Sequence, residues 1–135
     1  MNKNLIYMVA IDHEKSQHNH SMFSTYSTKS WEYWCKKNNT VRKHKDNYGF
    51  PIWNKLDVCE VGKGYDKIGI VDCDTMIHWD SKNPFDFVEK GIYGVRDISN
   101  LNWVYQSAKN YGDEFFDFEL DFKKYVNAGV IFLDK

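Results

Sequence analysis

The sequence predicts an α/β fold with a mainly parallel central sheet and helices on both faces. Three observations carry this. Leu5–Ile11, Lys67–Val71 and Ala128–Leu133 are short, nearly continuous apolar runs, the pattern of strands buried on both faces. Between them, aromatic and aliphatic residues recur at helical spacing. Strand-type and helix-type segments also alternate along the chain, the order of crossover units in a parallel sheet.

Each element has its own reason. Leu5–Ile11 runs straight into Asp12, as a strand does when it reaches a polar sheet edge. After a polar stretch, Phe23, Tyr26, Trp31, Trp34 and Cys35 mark a helix, with Ser30 as its expected cap and Asn38-Asn39 as its stop. Thr40–Lys45 is a short polar edge-strand candidate. Gly49-Phe50-Pro51 is a turn with Pro51 set to start a helix. Its apolar face would be Ile52, Trp53, Leu56 and Cys59, and Gly62 and Gly64 would end it. The strand Lys67–Val71 enters Asp72-Cys73-Asp74. Asn83-Pro84-Phe85 opens a short helix to about Lys90, and Gly91–Val95 is a further strand. Between Asn100 and Lys124 the pattern is mixed. Phe116, Phe118, Leu120 and Phe122 alternate with acids as in a strand, while the flanks read as helical. Ala128–Leu133 is the last strand.

Composition bounds the function. A chain of 135 residues is one domain, spanning 1–135, and large enough for a core without staples. A net charge of −1 and an isoelectric point near 6.5 exclude a basic nucleic-acid-binding surface. No apolar run approaches the roughly 18 residues of a membrane span, and no signal peptide is visible. Cys35, Cys59 and Cys73 are odd in number and widely spaced, so they read as buried or half-buried free thiols of a cytoplasmic protein.

The sharpest chemical feature is Asp72-Cys73-Asp74 at the end of an apolar strand. In an open α/β sheet, ligands bind at that edge. If the strand continues, residues two apart point to one side, so both carboxylates face one site. Their repulsion is relieved by a hard divalent cation, Mn²⁺ or Mg²⁺, which takes oxygen ligands and brings phosphate oxygens with it. By this reasoning Asp72 and Asp74 are the metal ligands and a diphosphate is their partner. Acids also end strands simply because loops are polar, so the tripeptide alone is a weak signal.

Its surroundings strengthen it. Gly64-Tyr-Asp-Lys-Ile-Gly-Ile-Val-Asp-Cys-Asp-Thr-Met-Ile77 resembles the donor-binding core of glycosyltransferases with the GT-A fold. Tyr125-Val-Asn-Ala-Gly-Val-Ile-Phe-Leu133 resembles the N-A-G strand of the same group, best known in glycosyltransferase family eight and its glycogenin-like members. The helix around Trp53-Asn-Lys-Leu56 is similar to the one that carries a phosphate-contacting base there, and the strand before Asp12 to the family's nucleotide-binding opening. The resemblance implies a Rossmann-like GT-A fold and a metal-dependent transfer of sugar from a nucleoside-diphosphate donor, most simply a UDP-sugar, to an acceptor hydroxyl.

Residue by residue, the resemblance implies Asp72 toward the ribose and metal and Asp74 on the metal and diphosphate. Lys55 would approach the donor phosphate or sugar. Asn127, Ala128 and Gly129 would line the sugar side, and Ala10, Ile11 and Asp12 would border the base. Cys73 lies within the donor segment with its side chain turned into the sheet. Arg96 and Asp97 are looser candidates at the same edge. The family's later D-Q-D-type segment and histidine-glycine-lysine motif are not among these residues. The resemblance therefore implies an N-terminal donor-binding portion, incomplete at its C-terminal end, whose acceptor is unread.

Two other readings compete. A non-catalytic nucleotide-sugar-binding module uses the same residues without turnover. A haloacid-dehalogenase-type phosphatase also places D-x-D after a strand, but it expects Thr four positions after the first Asp, and Met76 stands there. Several tempting groups have plainer explanations. His13, His18 and His20 read as a solvated loop, and His78 as chain leading away from the site. Trp31, Trp34 and Trp53 read as core. Trp79 and Trp103 are able to stack on a sugar or base, though burial is the simpler expectation.

Overall fold

In a computed structural model of the chain, residues 3–10, 20–38, 40–45, 51–96, 101–114 and 126–134 are described. Their strands are β1 (Asn4–Val9), β2 (Val41–Lys45), β3 (Lys67–Asp72), β4 (Gly91–Arg96) and β5 (Val126–Asp134). The helices are α1 (His20–Lys37), the single turn α2 (Val58–Val61) and α3 (Leu101–Glu114). Two 3₁₀ segments, Pro51–Asp57 and Pro84–Asp86, stand before β3 and β4.

Among the described residues the strands form one sheet in the order β2-β1-β3-β5-β4. β1 pairs in parallel with β2 and β3, and β5 pairs antiparallel with both β3 and β4. Four strands therefore share a direction and β5 alone opposes them. The sheet is mixed rather than mainly parallel in its pairings. The physical reason is that an apolar run reports burial, not direction.

Alternation along each strand divides the core in two. Ile6, Met8 and Val71 pack on one face with Trp31, Trp34 and Cys35 of α1 and with Phe85, while Val130 and Phe132 extend the cluster along β5. Leu5, Tyr7, Val9, Ile68 and Ile70 pack on the other face with Val58, Val61 and Tyr65, extended by Ile131 and Leu133. Helical elements thus cover both faces, as expected. Trp31 and Trp34 meet edge to face at 6.0 Å, and Phe85 and Phe132 at 5.3 Å. Gly69 is what lets the sheet close here. A Cβ on it would lie 2.6 Å from Phe132 and 2.7 Å from Ile6.

Several local expectations need correction. α1 begins at His20, so Ser30 lies inside the helix instead of capping it, and its hydroxyl donates back to the Ser27 carbonyl at 2.8 Å. The helix foreseen from Pro51 is a 3₁₀ segment followed by one α turn. A 3₁₀ winding has three residues per turn, so a face counted at 3.6 drifts out of phase. Leu56 and Cys59 consequently face solvent, while Asn54 is buried and Val58 and Val61 pack on the sheet. The helix expected to reach Lys90 is a single 3₁₀ turn, which Asn83 caps by accepting the Phe85 N–H at 3.1 Å. Of the mixed region, Leu101–Glu114 is helical, and the alternating segment 116–122 lies outside the described residues. Among the described residues no helix is long and apolar enough to cross a membrane.

Candidate functional site

β3 carries the site. Ile68–Val71 are buried, the polarity changes at Asp72, and the strand stops there. The Thr75 N–H and hydroxyl both donate to the Asp72 carbonyl, at 3.1 and 2.7 Å, and close a turn over residues 72–75. Asp74 therefore sits in a turn, not two places further along a strand, and the same-side argument for the two carboxylates does not hold. Asp74 is exposed, whereas the Asp72 side chain is two-thirds covered. The turn is anchored from beneath. The buried Ser27 hydroxyl and the Trp31 indole N–H, both on α1, donate to the Thr75 carbonyl.

β5 completes the site from the neighbouring strand. Val71 pairs with Val130, so the register brings Gly129 beside Asp72. A Cβ on Gly129 would stand 2.8 Å from Asn127 Oδ1 and in ordinary contact with Asp72 Oδ2 at 3.4 Å, so a side chain there would displace the Asn127 amide. Asn127 Oδ1 accepts the Gly129 N–H at 2.7 Å. On the β4 side, Gly94 pairs with Ile131 but Val95 pairs with Asn127, so residues 128–130 bulge away from the ladder. The bulge turns the Ala128 carbonyl toward Lys55, whose Nζ donates to it at 3.2 Å. Lys55 Nζ also forms an ion pair with Asp72 Oδ1. One ammonium group thus ties the 3₁₀ segment, β3 and β5 together.

Of the residues foreseen, Lys55, Asp72, Ala128 and Gly129 meet directly, and Asn127 joins them through its bond to Gly129. Ala10 is buried just past β1, at the edge where Asp72 ends β3. Arg96 ends β4 at that same edge, with β5 between it and Asp72, and is exposed. Ile11, Asp12 and Asp97 lie outside the described residues. Cys73 is half-buried and packs its side chain against the α1-side cluster. Burial pushes its thiol pKa up, and the charges of Asp74 and then Asp72 push it further. Trp31 and Trp34 are core, while Trp79 and Trp103 are more than half exposed, contrary to the simpler expectation. Cys59 is exposed rather than buried.

Sequence reasoning missed the Lys55–Asp72 pair and the support from Ser27 and Trp31. Neither leaves a signal in spacing, because each joins residues distant in the chain. Thr75 was legible within the D-x-D-T string, though not its role in closing the turn.

The donor set can be tested against a metal. Among the described residues, no three His, Cys, Asp or Glu side chains converge as a ligand group. Two carboxylates, one already holding an ammonium ion, suit a hard cation whose shell is completed by phosphate oxygens and water. The described residues thus offer two carboxylates and no protein cage.

No protein-family model matches the chain, and no curated protein does. Among solved structures, it is similar to a crystal structure of a glycosyltransferase involved in the glycosylation of the major capsid of PBCV-1. The two share 8% sequence identity with a TM-score of 0.61 over 98% of this chain. The chain spans 60% of the length of that protein. At this identity the likeness is one of fold.

Proposed function

We propose that the chain binds a nucleoside-diphosphate sugar, a UDP-sugar in the simplest case, and serves its transfer to an acceptor hydroxyl. The observation that carries this reading is the convergence of Lys55, Asp72 and the Ala128–Gly129 backbone at one sheet edge. The shared fold with a glycosyltransferase supports it. On this reading the fold is the donor-binding part of a GT-A architecture. Asp72 and Asp74 would hold Mn²⁺ or Mg²⁺, and the ion would neutralise the departing diphosphate.

The chain's own residues have separate tasks. Lys55 is the nearest fixed positive charge. In the ligand-free chain it balances Asp72, and with donor bound it donates to a phosphate oxygen. Gly129 leaves room for the sugar beside Asp72, and Asn127 holds the backbone that makes that room. The Thr75 turn sets where Asp74 stands. Ala10, with Ile11 and Asp12 beyond it, would border the base.

Calorimetric titration of UDP-glucose with Mn²⁺ tests this reading on the wild type and on Asp74→Asn, whose exposed side chain leaves folding undisturbed. The expected result is metal-dependent binding, weakened about tenfold or more in the variant. A folded wild type with no metal-dependent nucleotide binding ends the reading. Slow release of sugar to water would mark an active transferase, and binding without release would mark a non-catalytic module.

A further inference from the structure

A groove opens along α1. α1 and the segment following the Asp72–Thr75 turn run side by side and leave a groove of about 620 Å³ between them. Tyr26, Lys29 and Tyr33 line one wall, and Met76, His78 and Trp79 line the other. Tyr26 and Tyr33 are seven residues apart, so the helix brings them to nearly one face about 10 Å apart along its axis. The three rings are strongly exposed: Tyr26 63%, Tyr33 60% and Trp79 60%.

The groove is built, not incidental. Its outer wall is fastened to α1 along its length. Thr75 is held by Ser27 and Trp31. Ile77 donates its N–H to the Ser30 hydroxyl at 3.3 Å. The Trp34 indole donates to the Ser81 carbonyl at 3.2 Å. Lys37 donates to the Trp79 carbonyl at 3.3 Å, pairs with Asp80, and sits 5.7 Å from the Trp79 ring centroid. A wall held in advance loses little freedom when a ligand settles on it.

The geometry points to this groove as a binding site for a carbohydrate chain, the acceptor of the transfer. This assignment rests on the glycosyl-transfer reading above. Exposed aromatic faces stack on the C–H faces of pyranose rings, and the tyrosine hydroxyls, Lys29 and His78 supply hydrogen bonds for sugar hydroxyls. Among the described residues no acidic side chain lines the groove, which suits a neutral or anionic glycan. Its volume falls within the range of small-ligand sites. One end of its lining, Met76, is the residue after the turn that closes at Thr75, two positions from Asp74. A docked protein would need a broader face, and the exposed aliphatic residues Ile92 and Val95 lie elsewhere, on β4.

The test is calorimetry of the full chain with maltopentaose, cellopentaose and chitopentaose at concentrations up to about 10 mM, with UDP and Mn²⁺ titrated in parallel. One pentasaccharide is expected to bind. Tyr33→Ala and Trp79→Ala should each weaken it about tenfold while leaving UDP binding unchanged. Circular dichroism verifies that both variants fold. Absence of binding by all three glycans overturns the assignment, as does binding that neither substitution weakens. A concentration-dependent dimer dissolved by Trp79→Ala would give the groove to a second copy of the chain and overturn it too. Glycan binding that responds to the substitutions in a chain that ignores UDP would support the groove and remove the donor reading alone.

Discussion

The two halves of the sheet are built differently. β1 and β3 are parallel, covered on both faces and buried along nearly their whole length. β4 is exposed at almost every position, and β5 is no better than half-buried. The candidate site lies at the seam between them. Asp72 comes from the buried half, Asn127–Gly129 from the open half, and Lys55 bridges the two. The rigid half holds the charged group in place, while the open half leaves room around it.

The strongest challenge to this contrast is Trp34→Ala. Trp34 is fully buried and donates to Ser81, so urea unfolding should show a loss of about 3–5 kcal/mol. Ile92→Ala on β4, where the side chain is 75% exposed, should change stability by no more than about 0.5 kcal/mol. Comparable losses at both positions would erase the distinction. Gly69→Ala tests where the halves meet in the core. The added methyl would press on Phe132 and Ile6, at a cost of about 1–3 kcal/mol in the same assay.

The next substitutions address the seam itself. Gly129→Ala pushes Asn127 Oδ1 aside and sets a methyl group against Asp72, so UDP binding with Mn²⁺ should weaken about tenfold, with little change in unfolding. Lys55→Met removes a pair whose members are each about one-third exposed. Solvent screening keeps its stabilising effect to about 1 kcal/mol or less. Its clearer signature is faster amide exchange at Gly129 and Val130, as the β5 bulge loses its bond to Lys55. The smallest effect concerns thiols. At neutral pH N-ethylmaleimide should modify exposed Cys59 well before Cys73, whose raised pKa keeps it protonated. Asp74→Asn removes one of the charges raising that pKa, so more thiolate forms and Cys73 alkylation should quicken.

The same contrast explains what the sequence made legible. β1 and β3 were readable because burial on both faces forces an uninterrupted apolar run. The direction of β5 was not, since Ala128–Leu133 would look the same either way. The 3₁₀ winding at Pro51–Asp57 also escaped. Its residues fit a 3.6 period on paper, yet Leu56 and Cys59 turn outward. Within the site, Asp72 and Gly129 were legible as types at an expected edge. The bridge that Lys55 makes from Asp72 to the Ala128 carbonyl depends on strand order and a three-residue bulge, which no local pattern encodes.

The placement of β5 has a consequence for how the molecule assembles. β3 and β4 are sequential strands, yet they are separated by a strand from much later in the chain. Among the described residues β4 pairs in the sheet with β5 alone, so this half closes through contacts of long sequence separation, the slow kind. During synthesis β4 waits with an open edge, a state prone to mispairing. Asp72 meets Gly129 only when that wait ends. Competence to bind at this seam is therefore a report that β5 has docked.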